Sequence, residues 1–201
     1  MDKVLITTPL YPPDIAPLAV YVKEVARRLS AHREITVLAY GQFPEKVPGV
    51  RIVSISKNTL LPIRLFYFLL ALIQETRHAD YIYTQNGASV ELPVLLACFF
   101  MRTPFIFHLG DTVALTTSKQ HWALRKLTRI MTRSAIKAIC SETEDVSWVS
   151  QTDTLVHIDT PMTRPEILPF ALYPKQEFTD YEQSWNTHID ALTTLFHYAK
   201  K

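Results

Sequence analysis

Seven short apolar segments alternate along the chain with longer stretches of helical periodicity. Their apolar residues follow one another without strict alternation, which is typical of parallel strands that are covered on both faces. The segments are residues 3–7, 34–40, 50–55, 80–84, 104–109, 137–141 and 154–158. The pattern therefore predicts an α/β fold with a single doubly wound, Rossmann-like parallel sheet and helices on both faces.

Three helical segments have distinct polarity. The first begins at Pro17, where proline is favoured, and separates apolar from charged positions. The second, from Pro62 to about Arg77, is apolar almost all round. The last, from about Tyr181, has an apolar face and should pack back onto the sheet. We therefore expect a domain over 1–160, a proline-rich linker over 161–179 and a bracing helix within 180–201.

Composition narrows the class of protein. The 201 residues suffice for one domain with a core, and 48% are apolar and 20% charged. A net charge of +2, with no zinc-finger spacing or RNA-binding signature, predicts no nucleic-acid partner. Cys98 and Cys140 lie in apolar surroundings and indicate a reducing, cytoplasmic location. The sequence begins directly with a strand pattern, which predicts no signal peptide, and its apolar runs are about half the roughly 20 residues of a membrane span.

The order of these elements resembles the N-terminal, acceptor-side domain of a GT-B glycosyltransferase of family 4. The resemblance covers about residues 1–160, and its most specific part is the Tyr-Pro-Pro turn that leads into the first helix. The segments that carry it are 3–41, 48–56, 79–97, 102–111 and 134–142. A Ser-Trp-x-x-His core at Ser184, Trp185 and His188 is similar to the closing helix of such enzymes, which crosses back to brace the first domain.

The resemblance also implies a missing part. In the family a nucleotide-sugar domain stands before the closing helix, whereas here about twenty residues take its place. Neither the family's pair of spaced glutamates nor its donor-phosphate Arg and Lys can be found after residue 142. We therefore expect no cofactor for this chain alone. A nucleotide sugar is implied only for a complete two-domain assembly.

Ala16 and Pro17 occupy positions that the resemblance assigns to donor and acceptor binding. Two adjacent glycines in the family let backbone N–H groups approach the donor diphosphate and the acceptor. A side chain blocks such an approach, and proline also removes the N–H donor. We therefore expect this turn to begin a helix and to have lost its contact with phosphate.

Polar residues at the ends of two predicted strands are the other site candidates. His108, Gly110 and Asp111 end a central strand, where open α/β sheets bind ligands, and the resemblance places such residues against the transferred sugar. His108 and Asp111 are the catalytic candidates, because they could bind sugar hydroxyls or shuttle a proton. Asn86 and Gly87 form a turn that could contact the acceptor. Strand-end and helix-cap roles remain alternatives for all of them.

Residues 118–137 read as a basic amphipathic helix without an acidic residue. Such a helix could lie on an anionic membrane surface at the inner face of the membrane, although a solvated charged face is the commoner meaning. The residues that would face the membrane are Lys119, Trp122, Arg125, Lys126, Arg129 and Arg133.

Two functions remain open at this point. One is the acceptor-side half of a split glycosyltransferase, whose partner is a donor-domain polypeptide. The other is a catalytically degenerate subunit with a regulatory or partner-binding role. Both predict an exposed cleft that favours a partner or self-association. His157 and Asp159 alternate on the last strand without a third ligand, so no metal is expected.

Overall fold

A computed structural model describes residues 1–141, 145–149, 154–162 and 175–199. All seven predicted segments contain strands, and no strand end is shifted by more than one residue. The strands are β1 (Lys3–Thr8), β2 (Glu34–Tyr40), β3 (Val50–Ile55), β4 (Tyr81–Gln85), β5 (Phe105–His108), β6 (Lys137–Cys140) and β7 (Leu155–His157). The helices are α1 (Pro17–Leu29), α2 (Leu61–Thr76), α3 (Ala88–Met101), α4 (Thr112–Gln120), α5 (Trp122–Ser134) and α6 (Lys175–Ala199).

The seven strands form one parallel sheet in the order β3-β2-β1-β4-β5-β6-β7. Ile6 in the middle of β1 pairs with Val37 on one side and with Tyr83 on the other. The chain moves outward from β1 to β3 and then returns to place β4 beside β1. The strand order thus reverses between β1 and β4, and the sheet is doubly wound as the sequence predicts.

Alternate residues of the strands build two cores. Leu5, with Phe68 of α2 and Val94 of α3, belongs to one core, to which α5 also contributes. Val4 and Ile6 belong to the opposite core, where α1 packs. The right-handed crossovers that follow β4 and β5 place α3, α4 and α5 on the same face of the sheet as Leu5. These crossover helices therefore do not cover the opposite face of β4, β5 and β6.

Helix α6 covers the face of β4, β5 and β6 that the crossover helices do not cover. Its buried side chains pack against α1 and against strand residues of the core that contains Val4 and Ile6. These side chains include Trp185, Leu192, Leu195 and Phe196. The predicted bracing helix is therefore present. It begins at Lys175, earlier than sequence periodicity suggests, and residues 163–174 of the predicted linker lie outside the described part.

The predicted basic helix is interrupted. Residues 118–137 contain the end of α4, the whole of α5 and the start of β6, and His121 separates the two helices with an extended backbone. The two helices also differ in the polarity of their residues. Helix α4 has few charges, whereas α5 has an apolar and a basic side. The expectation of one continuous helix was wrong.

Candidate functional site

Two loops meet at the carboxyl edge of the sheet, where the strand order reverses. One follows β1 and contains Pro9, and the other follows β4 and contains Gly87. Gly87 has a φ of +143°, and a Cβ at this position would lie 3.1 Å from Cγ of Pro9. Both the backbone angle and this close approach favour glycine here. The candidate Gly87 is thus explained by the packing of the two loops.

Asn86 joins the end of β4 to the loop after β5. Its side-chain Nδ2 donates to the carbonyl of Asp111 at 2.9 Å, and its Oδ1 accepts from the backbone N–H of Asp111 at 2.7 Å. Its own backbone N–H donates to the carbonyl of His108 at 2.9 Å. The structure therefore brings three sequence-predicted candidates together, with His108 joined through its backbone carbonyl and Asn86 and Asp111 through two further hydrogen bonds.

Asp111 has a structural role at the start of α4. Its Oδ1 accepts from the backbone N–H groups of Val113 and Ala114, both at 3.0 Å. This is the N-cap arrangement that satisfies the free donors of a first helical turn. The helix-cap alternative from the sequence therefore holds for this carboxylate.

His108 lies buried on the face covered by α1 and α6. Its ring centroid lies 5.1 Å from that of Tyr21 and 5.9 Å from that of Tyr83. Burial, with a smaller effect of nearby His188, lowers the pKa of His108 to about 3. The ring is therefore uncharged at neutral pH. This favours a hydrogen-bonding role over the proton-shuttling role considered from the sequence.

Gly110 gives the His108 ring its space. A Cβ at Gly110 would lie 2.6 Å from Cε1 of His108, a contact that real Cβ atoms do not make. Any other residue would have to displace the ring. The Nδ1 atom of His108 is buried and has no hydrogen-bond partner among the described residues. The hydroxyls of Thr7, near the end of β1, and of Tyr11, in the loop that follows, are also buried without a hydrogen-bond partner in the described part of the chain.

A chain of hydrogen bonds connects β4, α1 and α6 beside His108. The hydroxyls of Tyr83 and Tyr21 lie 2.9 Å apart, and the Tyr21 hydroxyl lies 2.7 Å from Nε2 of His188. Nδ1 of His188 lies 2.9 Å from the carbonyl of Asp159. Because a carbonyl only accepts, Nδ1 carries the proton. In the neutral ring Nε2 then accepts from Tyr21, which in turn accepts from Tyr83.

The Ser-Trp-x-x-His core of α6 holds the segment that follows β7. Ser184 Oγ accepts from the N–H of Met162 at 2.8 Å, and Nε1 of Trp185 donates to the Met162 carbonyl at 3.1 Å. His188 adds its bond to Asp159. All three residues of the motif therefore bind backbone groups of one segment, and the motif has a bracing role here.

Sequence reasoning missed Glu91, a buried carboxyl group in the first turn of α3. Its Oε1 accepts from the N–H of Gly87 and its Oε2 from the hydroxyl of Thr128, both at 2.9 Å. Burial raises the pKa of Glu91. Only the contrast between an acidic residue and its apolar neighbours could have drawn attention to it.

Ala16 and Pro17 lie where the sequence placed them, at the start of α1. Ala16 is the N-cap residue with an extended backbone, and Pro17 is the first helical residue. Pro17 has no N–H to offer a ligand. The position is thus a helix start, as expected.

Three of the cations predicted to face a membrane have partners within the protein. Lys119 pairs with Asp145, Arg125 donates to the Lys119 carbonyl, and Arg129 Nε donates to the Trp148 carbonyl. The remaining predicted residues, Trp122, Lys126 and Arg133, are exposed.

Within the described ranges, no group of three or more His, Cys, Asp or Glu side chains is placed to hold a metal ion. No described helix combines the length and the apolar character that a membrane span requires.

No protein-family model matches the sequence, and no curated protein matches it. Solved structures nevertheless share its fold. HepE from Anabaena, in complex with UDP and glucose, matches with a TM-score of 0.62 at 14% identity over 82% of this chain and 47% of that one. A UDP-N-acetylglucosamine 2-epimerase from Listeria monocytogenes matches with a TM-score of 0.50 at 16% identity over 73% and 41%. This chain thus spans less than half of either structure.

Proposed function

We propose that this chain is a glycosyltransferase-like domain that binds a sugar acceptor at the carboxyl edge of its sheet. A second lobe, on a separate polypeptide, supplies the activated sugar. The observation that carries the proposal is the match to HepE, which covers most of this chain and less than half of a protein solved with UDP and glucose. Membership of glycosyltransferase family 4, with its two-lobed GT-B form, is part of this proposal.

The polar groups at the carboxyl edge support an uncharged ligand. His108 is neutral because burial lowers its pKa, and its Nδ1 and the buried hydroxyl of Tyr11 lack partners among the described residues. Such groups can exchange hydrogen bonds with sugar hydroxyls. A diphosphate would instead require cations or free backbone N–H groups, and Pro17 stands where the resemblance places such a backbone group. Donor binding therefore falls to the partner in this proposal.

A catalytically inactive subunit is the second candidate. Two observations favour it: Asp111 is engaged as a helix cap, and His108 is uncharged at neutral pH. In that case the same edge binds a partner protein without contributing to chemistry. Neither cysteine forms a disulfide and both are buried, so the cytoplasm is the proposed location for either function.

Calorimetry and a transfer assay test the proposal. The purified chain should show no saturable binding of UDP-glucose or UDP-N-acetylglucosamine. The complex with a co-purified second polypeptide should transfer sugar, and His108→Gln should reduce this transfer at least tenfold, whereas the exposed His78→Gln should not. Transfer by the chain alone would contradict the need for a partner. A stable complex without transfer would favour the inactive subunit.

A further inference from the structure

Helices α2 and α3 each expose an apolar stripe on the side away from the sheet. On α2 the stripe consists of Ile63, Phe66, Tyr67 and Leu70, which are 45–57% exposed. On α3 it consists of Leu92, Leu96, Phe99 and Phe100, and the two phenylalanines are 78% and 71% exposed. These positions follow the spacing of one helix face. Because α2 packs against α3, the two stripes lie on neighbouring helices and together form an exposed apolar surface.

The next helix adds positive charge to this surface. Helix α5 packs against α3, and its exposed residues include Lys126, Arg129, Arg133 and, at its start, Trp122. Together these residues and the two stripes form what we call the α2–α3–α5 face.

No carboxylate is exposed on these three helices. Glu75 of α2 is 6% exposed and pairs with Arg51, while Glu91 of α3 is 1% exposed and bonds to Thr128. Helix α5 contains no acidic residue. The exposed ionisable groups of the three helices are therefore cationic, and they adjoin an apolar surface.

We propose that the α2–α3–α5 face docks on an anionic lipid surface. Apolar side chains enter the boundary between headgroups and acyl chains, and the cations bind lipid phosphates. Charge decides between the possible occupants. A second copy of this chain would bring another set of cations to the face and no exposed carboxylate from these helices, whereas an anionic bilayer complements both features. The proposal is independent of sugar transfer.

Sedimentation with vesicles tests this docking. The whole chain should bind vesicles of phosphatidylcholine and phosphatidylglycerol, bind those of phosphatidylcholine alone much more weakly, and be released by added salt. Phe99→Ser with Phe100→Ser should reduce binding at least tenfold. Phe43→Ser is a matched control, because Phe43 is 83% exposed on the loop after β2 and belongs to none of the three helices.

Charge variants supply the second arm of the experiment. Lys126→Gln should weaken binding about fivefold, the usual effect of one cation near an anionic surface. Lys46→Gln, another exposed lysine outside the face, should not change binding. Equal binding to both vesicle types, or an equal effect of Phe43→Ser, would overturn the proposal. Concentration-dependent dimers that Phe99→Ser abolishes, without vesicle binding, would identify a second copy as the occupant instead.

Discussion

The hydroxyl of Tyr21 lies 2.7 Å from Nε2 of His188, although 167 residues separate them in sequence. This contact joins the first helix to the last one over the sheet face that the crossovers leave uncovered. Trp185 adds a stacked contact with the Tyr21 ring, with centroids 5.8 Å apart. The bracing of α6 therefore depends on a specific polar pair inside an apolar core.

Replacing Tyr21 with phenylalanine should weaken this bracing. The change removes the proton that His188 accepts and the oxygen that accepts from Tyr83, so two buried groups lose their partner. Unsatisfied buried groups cost about 1–3 kcal/mol each, and we expect a loss of this order in the free energy of unfolding. Urea denaturation measures it. Tyr198→Phe, at a tyrosine that is 60% exposed, is the control and should leave the midpoint unchanged.

Stability should fall as the pH decreases from about 6.5 to about 3, in part because of His108. Burial lowers its pKa in the fold to about 3 from the ordinary histidine value of about 6.5, so in this interval the unfolded chain binds a proton that the folded chain does not. Each such proton gives a slope of ~1.4 kcal/mol per pH unit. The groups around the ring, Tyr21, Tyr83 and His188, offer no negative charge at these pH values.

A His108→Gln variant isolates this contribution. The difference in unfolding free energy between the wild type and the variant should change along the same interval, since glutamine does not titrate. His188, whose pKa burial also lowers, should continue to contribute in both proteins. Denaturation curves at several pH values provide the measurement. If the two stability profiles run parallel, the buried and uncharged state assigned to His108 is wrong.

Asp111 should behave as a helix cap when it is substituted. Asp111→Ala removes the acceptor of two backbone N–H groups and should destabilise the protein by about 1 kcal/mol, whereas Asp111→Asn and Asp111→Ser keep a capping oxygen. Thermal denaturation distinguishes the three variants. If Asp111→Asn destabilised the protein as much as Asp111→Ala does, the fold would require the negative charge and not the capping oxygen.

The sequence predicts the sheet well because buried parallel strands leave a local signal. Each of the seven apolar segments contains a strand, and Pro17 marks the start of α1 correctly. The break at His121 has no such signal, since neither glycine nor proline stands there. The sequence does not indicate the exposure of Phe99 either, and it leaves Phe66 open between a surface patch and the core. An apolar helix reads as core, and only the packed structure shows which of its faces lacks a neighbour.

At the candidate site, too, the sequence predicts individual residues but not the tertiary contacts between them. Asn86, His108 and Asp111 could be selected because strand ends are recognisable in the sequence. Their mutual hydrogen bonds depend on the pairing of β4 with β5, which no local pattern specifies. The partnership of Tyr21 with His188 depends on α6 returning to the sheet. The resemblance suggested this return, but residue spacing did not identify the pair.

Glu91 offers a test of whether a buried carboxyl group stabilises this fold by hydrogen bonding alone. Burial raises its pKa, so ionisation with rising pH works against the folded state. Glu91→Gln keeps an acceptor for the Gly87 N–H and an amide group for Thr128, and it should be neutral or stabilising, increasingly so at higher pH. Glu91→Ala leaves both partners unpaired and should cost about 1–3 kcal/mol for each. Chemical denaturation across pH compares the variants with Thr128→Val, which removes only one of the two bonds. Equal destabilisation by Gln and Ala would mean that the negative charge itself is required.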